Sequence, residues 1–249
     1  MIVLFTDFGT RDPYLGQLKV VLSGLSPNVS VVDLFHSAPD FNAHAGAHLL
    51  ANLTTLLPQQ AVILGVVDPG VGSIRKAVVV YAEGRWYVGP DNGLFSVLAA
   101  RAPDLRVWQI NWPASTPSVS FHGRDIFAPI AAMIANGAFP EDRLIPAESL
   151  EVQFDSADLP RIIYIDHYGN AWTGIRSGLV DQDTVLKVKD AELSWRRVFS
   201  DADKGETFWY VNSSGLVEIA TNRSSAADLL GLKIGDLVRL VKPQSSSVH

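Results

Sequence analysis

The chain predicts an α/β fold in two parts. The first is an N-terminal α/β, sandwich-like domain with a mainly parallel sheet over residues 1–150; the second is a small C-terminal all-β barrel over residues 160–242. Three observations carry this. Short apolar runs alternate with longer stretches of helical period up to about residue 135, the pattern of βαβ units. Beyond residue 160, strand-like runs follow one another with only Asn, Gly, Asp and Ser between them. And 249 residues that are 47% hydrophobic and 18% charged can build a sizeable core.

Ile2 to Phe5 is a buried-type apolar run that ends in Thr6-Asp7-Phe8-Gly9. A helix is expected from about Tyr14 to Leu25, a strand from Val29 to Leu34, and a helix from His44 to Leu57, where Pro58 stops it. Ala61 to Val67 reads as a central strand. Ala77 to Ala82 and Trp86 to Val88 read as a hairpin, and Asp91-Asn92-Gly93 turns into a short helix. Val107 to Ile110 is a strand, and Ile126 to Ala135 a helix closed by Asn136-Gly137. The linker falls near Glu148 to Pro160. Six strands follow: Arg161 to Ile165, Ala171 to Ile175, Thr184 to Val188, Phe208 to Val211, Val217 to Thr221 and Leu237 to Val241. Asn212-Ser213-Ser214-Gly215 is a hairpin turn, and residues 243–249 read as a frayed tail.

The bulk numbers exclude several classes. A net charge of −6 disfavours nucleic acid or an anionic membrane as the main partner. With no cysteine there is no disulfide, thiolate nucleophile or cysteine zinc site. No apolar run reaches the length of a membrane span, and the N-terminus enters a strand without a basic leader, so a cytoplasmic protein is expected. Asp7-Phe8-Gly9 copies the kinase magnesium motif without its glycine-rich loop. His44 and His48, at i and i+4, lack a third ligand and read as a helix face. No metal and no cofactor are expected.

The most informative stretch is Val66-Val67-Asp68-Pro69-Gly70-Val71-Gly72-Ser73-Ile74-Arg75. It places a carboxylate and a guanidinium just past a central strand, where open α/β sheets carry their ligand sites. Phe121-His122-Gly123-Arg124-Asp125 adds a histidine before a helix. Asp7 and Asp12 follow the first strand, Asp166 to Trp172 forms a loop between two C-terminal strands, and Asn212 to Ser214 forms another. Each alone reads as a turn or cap. Together they read as the polar lining of a cleft between two domains.

The motifs Thr6-Asp7-Phe8-Gly9, Val32-Asp33-Leu34 with His36-Ser37, Val67 to Gly72, Gly89-Pro90-Asp91-Asn92-Gly93-Leu94, Phe121 to Asp125, Ile165-Asp166 with Gly169-Asn170, and Asn212-Ser213 with Ile219-Ala220 run through nearly the whole chain. In order and spacing the chain resembles the S-adenosylmethionine hydroxide adenosyltransferase family, the adenosylmethionine hydrolases related to fluorinase and chlorinase. The resemblance implies hydrolysis of S-adenosylmethionine to adenosine and methionine, with Asp68, Arg75 and His122 as the catalytic residues. It implies Asp7 on the ribose diol; Asp166, Ser213 and Asp12 at the methionine end; Asn170 and Trp172 on the adenine side; and Phe41 where the halogenases carry a tryptophan. It also implies an α/β domain followed by a barrel, in a homotrimer whose sites lie between subunits. The chain departs from the halogenases at Asp68, at His122-Gly123 and by lacking an insertion between Ala82 and Pro90, all of which favour water over halide. The alternatives are a halide-using adenosyltransferase and a non-catalytic adenosyl-binding module.

Displacement at C5′ releases a neutral thioether from a sulfonium, so it needs no general acid and the difficulty lies with the nucleophile. Water has a pKa of about 15.7. Either Arg75 and His122 stabilise hydroxide, or Asp68 removes the proton as attack proceeds.

Overall fold

A computed structural model of the chain describes residues 1–112 and 120–242; the tail expected at 243–249 lies outside the described residues. The chain divides into two compact units, Met1–Ser156 and Ala157–His249.

The first unit is built on a seven-stranded sheet. Its strands are β1 (Ile2–Thr6), β2 (Val31–Phe35), β3 (Val62–Val66), β4 (Ala77–Ala82), β5 (Arg85–Pro90), β6 (Arg106–Ile110) and β7 (Leu144–Ala147), in the order β2-β1-β3-β5-β4-β6-β7. The expectation of a mainly parallel sheet is corrected here. β1 pairs in parallel with β2 and β3, and β3 with β5, but β4, β6 and β7 join through antiparallel pairs. The turn at Glu83-Gly84, with φ of 51° and 76°, returns the chain directly beside itself and sets β5 antiparallel to β4; β6 and β7, reached by longer connections, also run against their neighbours. β7 escaped the sequence reading because Leu144-Ile145-Pro146-Ala147 is short and contains proline, as edge strands often do.

Helices α1 (Pro13–Leu25), α2 (Ala43–Leu53), α3 (Ser96–Arg101) and α4 (Ala128–Ala135) cover the sheet. Every residue of β1 and β3 is buried, which requires cover on both faces. Ile2, Leu4, Val62 and Leu64 pack with Leu18 and Leu22 of α1 and Ile130 and Ala131 of α4. Gly65 and Gly89 face Phe95: a Cβ on Gly89 would collide with the Gly65 carbonyl, so only glycine lets β3 and β5 carry that ring. α1 starts with Pro13 at its first position, and Asn42 caps α2 by accepting from the Ala45 amide at 3.0 Å.

The second unit contains two antiparallel sheets. One is β11 (Ala191–Leu193), β10 (Val185–Val188) and β14 (Val238–Val241). The other is β12 (Thr207–Val211), β13 (Leu216–Thr221), β9 (Ala171–Arg176) and β8 (Leu159–Ile165). Isolated bridges join Arg161 to Leu237 and Trp195 to Trp209. Ile162, Leu186, Trp209, Val217 and Ile219 fill the core between the strands. A short helix α5 (Ala226–Leu230), capped by Ser225, and strand β11 are additions to the sequence reading.

Candidate active site

Asp68 begins the loop after β3, one residue beyond the buried Val67. The position is fixed from behind: Asn92 Nδ2 donates to the Val67 carbonyl at 2.7 Å, and buried Asp91 accepts from the Glu151 amide at 2.9 Å. The Gly89 to Leu94 motif is thus scaffolding for the Asp68 loop. Within that loop Val71 N–H donates to the Asp68 carbonyl and Ser73 N–H to the Gly70 carbonyl, which brings Arg75 back onto Asp68. Arg75 Nε donates to Asp68 Oδ1 at 2.7 Å and its Nη2 to Oδ2, a bidentate ion pair. The same Nη2 lies 3.1 Å from His122 Nδ1. The pair is almost out of solvent, with side-chain exposures of 5% for Asp68 and 10% for Arg75. Arg75 also sits 5.3 Å over the Phe127 ring.

His122 stands immediately before a π turn, Gly123–Phe127, which leads into α4. The sequence reading starts its helix at Ile126; the π turn that precedes α4 is what it misses. A guanidinium has only donors, so His122 Nδ1 accepts from Arg75, and the ring is the neutral Nε2–H tautomer. Burial first, and then the Arg75 charge, hold its pKa below the ordinary histidine value.

A cavity of about 410 Å³ opens beside this trio, lined among others by Asp7, Asp12, Asp40, Phe41, Asp68 and His122. Asp12 occupies the N-cap position of α1 without making the cap hydrogen bond, which leaves its carboxylate for the cavity. Burial pushes the Asp7 carboxyl up to about 6, helped by the neighbouring Asp40 and Asp68 charges and opposed by backbone N–H groups, among them that of Phe41. Phe41 has a φ of 57°, rare for a bulky residue, and is 78% exposed. Phe8 and Tyr14 each meet Phe121 edge to face and are tilted against one another, forming an aromatic wall.

Asp166, Asn170, Trp172 and Ser213 line a different cavity, of about 770 Å³, in the second unit. Asp166 Oδ1 accepts from the amides of Tyr168 and Asn170 at 2.9 Å each, and its Oδ2 from Asn170 Nδ2 at 3.0 Å. Most of its acceptor capacity therefore goes to its own loop. Two atoms in this cavity are buried without a partner: Asn170 Oδ1, an acceptor, and Trp172 Nε1, a donor. Buried orphans are costly, and a ligand that satisfies both recovers that cost.

The sequence reading placed the named residues in one cleft; within the units they form two groups, Asp7, Asp12, Phe41, Asp68, Arg75 and His122 in the first and the remaining four in the second. It missed Asp40, Tyr210 and Glu218. Asp40 was hidden in an ordinary Pro-Asp turn. Glu218 carried a signal: it is a lone charge in the apolar run Leu216-Val217-Glu218-Ile219-Ala220, and every residue of that strand is buried. Among the described residues, no group of three or more His, Cys, Asp and Glu side chains is arranged to hold a metal ion. No helix among them is long and apolar enough to cross a membrane.

Residues 2–143 match the family model of the SAM hydroxide adenosyltransferase N-terminal domain, and residues 160–239 that of its C-terminal domain. An (R)-S-adenosyl-L-methionine hydrolase from Thermus thermophilus is 38% identical, over 96% of this chain and 99% of that protein. A fluorinase from Actinopolyspora mzabensis is 26% identical, over 97% of each chain. The crystal structure of a conserved protein from Thermotoga maritima superposes with a TM-score of 0.87 at 32% identity, covering 97% of this chain and 100% of that one.

Proposed function

The chain belongs to the SAM hydroxide adenosyltransferase family, and we propose that it is an S-adenosyl-L-methionine hydrolase, forming adenosine and L-methionine by attack of a water oxygen at the ribose C5′. The observation that carries the reading is the buried Asp68–Arg75–His122 chain on the wall of an acidic cavity. The names of the hydrolase relatives specify the (R) epimer at sulfur, and we assign the same epimer here. A halide-using reaction is disfavoured because an anion entering beside Asp68 meets a carboxylate.

The geometry also bears on how the nucleophile is made. A standing hydroxide needs an uncompensated cation, but the Arg75 charge is already matched by Asp68. We therefore assign proton removal during attack. Water, held by His122 Nε2–H, gives its proton to an unused lone pair of Asp68 as the O–C5′ bond forms. The C5′–S bond breaks, and its electron pair leaves on sulfur as the neutral thioether of methionine. Arg75 fixes the carboxylate and the imidazole tautomer. Asp7, Asp12 and Asp40 make the cavity favourable to a sulfonium cation and less so to the neutral products. Asp7 takes the ribose diol; Asp12, Asp166 and Ser213 the methionine end; Phe41 flanks the substrate; Asn170 and Trp172 take the adenine side, where their unpaired acceptor and donor support a purine.

We further read the chain as domains 1–150 and 160–242, with the Arg161–Leu237 and Trp195–Trp209 bridges closing the sheets of the second into a barrel. We also read it as a cytoplasmic homotrimer that needs no metal. Exposed apolar side chains beside the sites support an assembly that covers them: Phe41, Tyr168 at 75%, and Ile74, which is fully exposed. The test is turnover of each sulfonium epimer in ¹⁸O-labelled water, with and without chloride. Label in adenosine supports the reading. A 5′-chloro nucleoside in its place, or binding without turnover, overturns it.

A further inference from the structure

Glu218 is 1% exposed, lines the larger cavity and takes no part in the mechanism above. Its two oxygens are committed to different partners. Oε2 accepts from Asn212 Nδ2 at 2.9 Å, and Oε1 accepts from the Tyr210 hydroxyl at 2.7 Å. The orientation of Asn212 is not free, because its Oδ1 accepts from the Ser214 and Leu216 amides at 3.0 Å each. Oε2 must therefore face a donor. As a carboxylate Glu218 has no hydrogen to give, so the Tyr210 proton points at Oε1, and Tyr210 shows the cavity only oxygen lone pairs.

We propose that Glu218 is a specificity-determining positioning residue: by fixing the direction of the Tyr210 hydroxyl, it makes the cavity present acceptors to the amino edge of a 6-aminopurine and reject a 6-oxopurine. Tyr210 Oη then acts in the same sense as the unpaired Asn170 Oδ1, while Trp172 Nε1 supplies the donor for a ring nitrogen. A 6-oxo group brought against acceptors leaves lone pairs facing lone pairs. Sites with fixed buried hydrogen bonds discriminate strongly against such a mismatch. The inference rests on the reading of this cavity as the purine pocket. Burial pushes the Glu218 carboxyl up, while the Tyr210 and Asn212 donors pull it back, and Asp166 is the other charge acting on it.

The decisive variant is Glu218→Gln, which keeps shape and volume. Its amide oxygen must take the Asn212 contact, which leaves its NH₂ facing Tyr210 Oη. The tyrosine then accepts and is released to donate into the cavity. Binding of adenosine and inosine to the full chain is measured by calorimetry, with native protein, Glu218→Gln and Tyr210→Phe. Native protein is expected to prefer adenosine by about a hundredfold, and Glu218→Gln to reduce that preference to about tenfold or less, with inosine binding gained, not merely adenosine binding lost. Tyr210→Phe lowers the preference by loss of adenosine affinity alone, and it provides the test if Glu218→Gln does not fold. Gain of inosine binding is the readout that a merely structural role would not move. Preference for adenosine unchanged in both variants overturns the role of Glu218 and leaves the purine pocket standing. Binding of neither nucleoside to native protein overturns the pocket assignment and this inference with it.

Discussion

The two cavities differ in how their polar groups are committed. The one in the first unit is crowded with carboxylates, Asp7, Asp12, Asp40 and Asp68, against one guanidinium that is already paired. The one in the second unit is walled by Trp172, Phe199 and Tyr210; Asp166, Glu218 and Arg223 line it too, the two carboxylates bonded to their own neighbours, and it also offers an orphan acceptor, an orphan donor and a hydroxyl held by Glu218. Charge acts over several ångströms and suits a reaction in which a cation is neutralised. Hydrogen-bond direction acts only at contact and suits discrimination between planar rings of the same size. We read the first unit as holding the chemistry together with the ribose, and the second as reading the edge of the purine.

That separation breaks most visibly at Arg75. Arg75→Ala should lower turnover by about a hundredfold to a thousandfold, because Asp68 loses its anchor and His122 its fixed tautomer. Adenosine affinity should change by less than about threefold. Single-turnover adenosine formation against calorimetric binding measures both, and equal losses in the two would mean that Arg75 holds the fold instead of the chemistry. A double variant with His122→Ala should lose little more than Arg75→Ala alone, since both act through one hydrogen-bonded chain.

The reverse pattern is expected in the second unit. Trp172→Phe removes the orphan indole donor, and adenosine affinity should fall by about tenfold while the rate at saturation stays within about twofold. A fall in kcat without a change in affinity would place the tryptophan with the chemistry.

Asp7 sharpens the contrast through stability. Its folded-state pKa of about 6 lies above the ordinary 3.8, so the folded chain binds this proton more tightly than the unfolded one. The stabilisation from that proton is complete below about pH 3.8 and is lost as pH rises through 6. At neutral pH the ionised group opposes folding. A shift of this size is worth about 3 kcal/mol, reduced by solvent screening of a partly exposed group to about 1–2 kcal/mol. Asp7→Asn should therefore raise the melting temperature by about 2–5 °C at pH 8, with little gain near pH 4.5, and should weaken adenosine binding at pH 8, where the native carboxylate is ionised, with little effect near pH 4.5. A melting temperature raised equally at both pH values would mean that charge is not the cause. The smallest expected effect is none: a strong chelator should leave turnover unchanged, and loss restored by one divalent ion would contradict the metal-free assignment.

How much of this was legible in the sequence differs between the units. Strand β3 and its Asp68 to Arg75 loop could be read directly, because an apolar run, an acid, turn formers and a guanidinium lie within a few residues of one another. The elements from β1 to α4 likewise follow from periodicity and stop signals. The β4–β5 hairpin was legible too, but the antiparallel placement of β6 and β7 was not, because they are reached through longer connections and an apolar run carries no direction. In the second unit Asp166 and Asn170 stood out as a turn, yet their carboxylate and amide prove to be spent largely on each other.

The sequence by itself determined the two-part architecture, the absence of thiol chemistry and the residue types available for catalysis, because these depend on composition and on contacts between near neighbours in the chain. Only the tertiary structure decided that Arg75 joins Asp68 to His122 across 47 positions, that Asp12 leaves its cap unused, and that Glu218 dictates the proton of Tyr210. Those are statements about hydrogen-bond direction and burial. A one-dimensional pattern carries neither, since each depends on which distant strand the fold sets beside it.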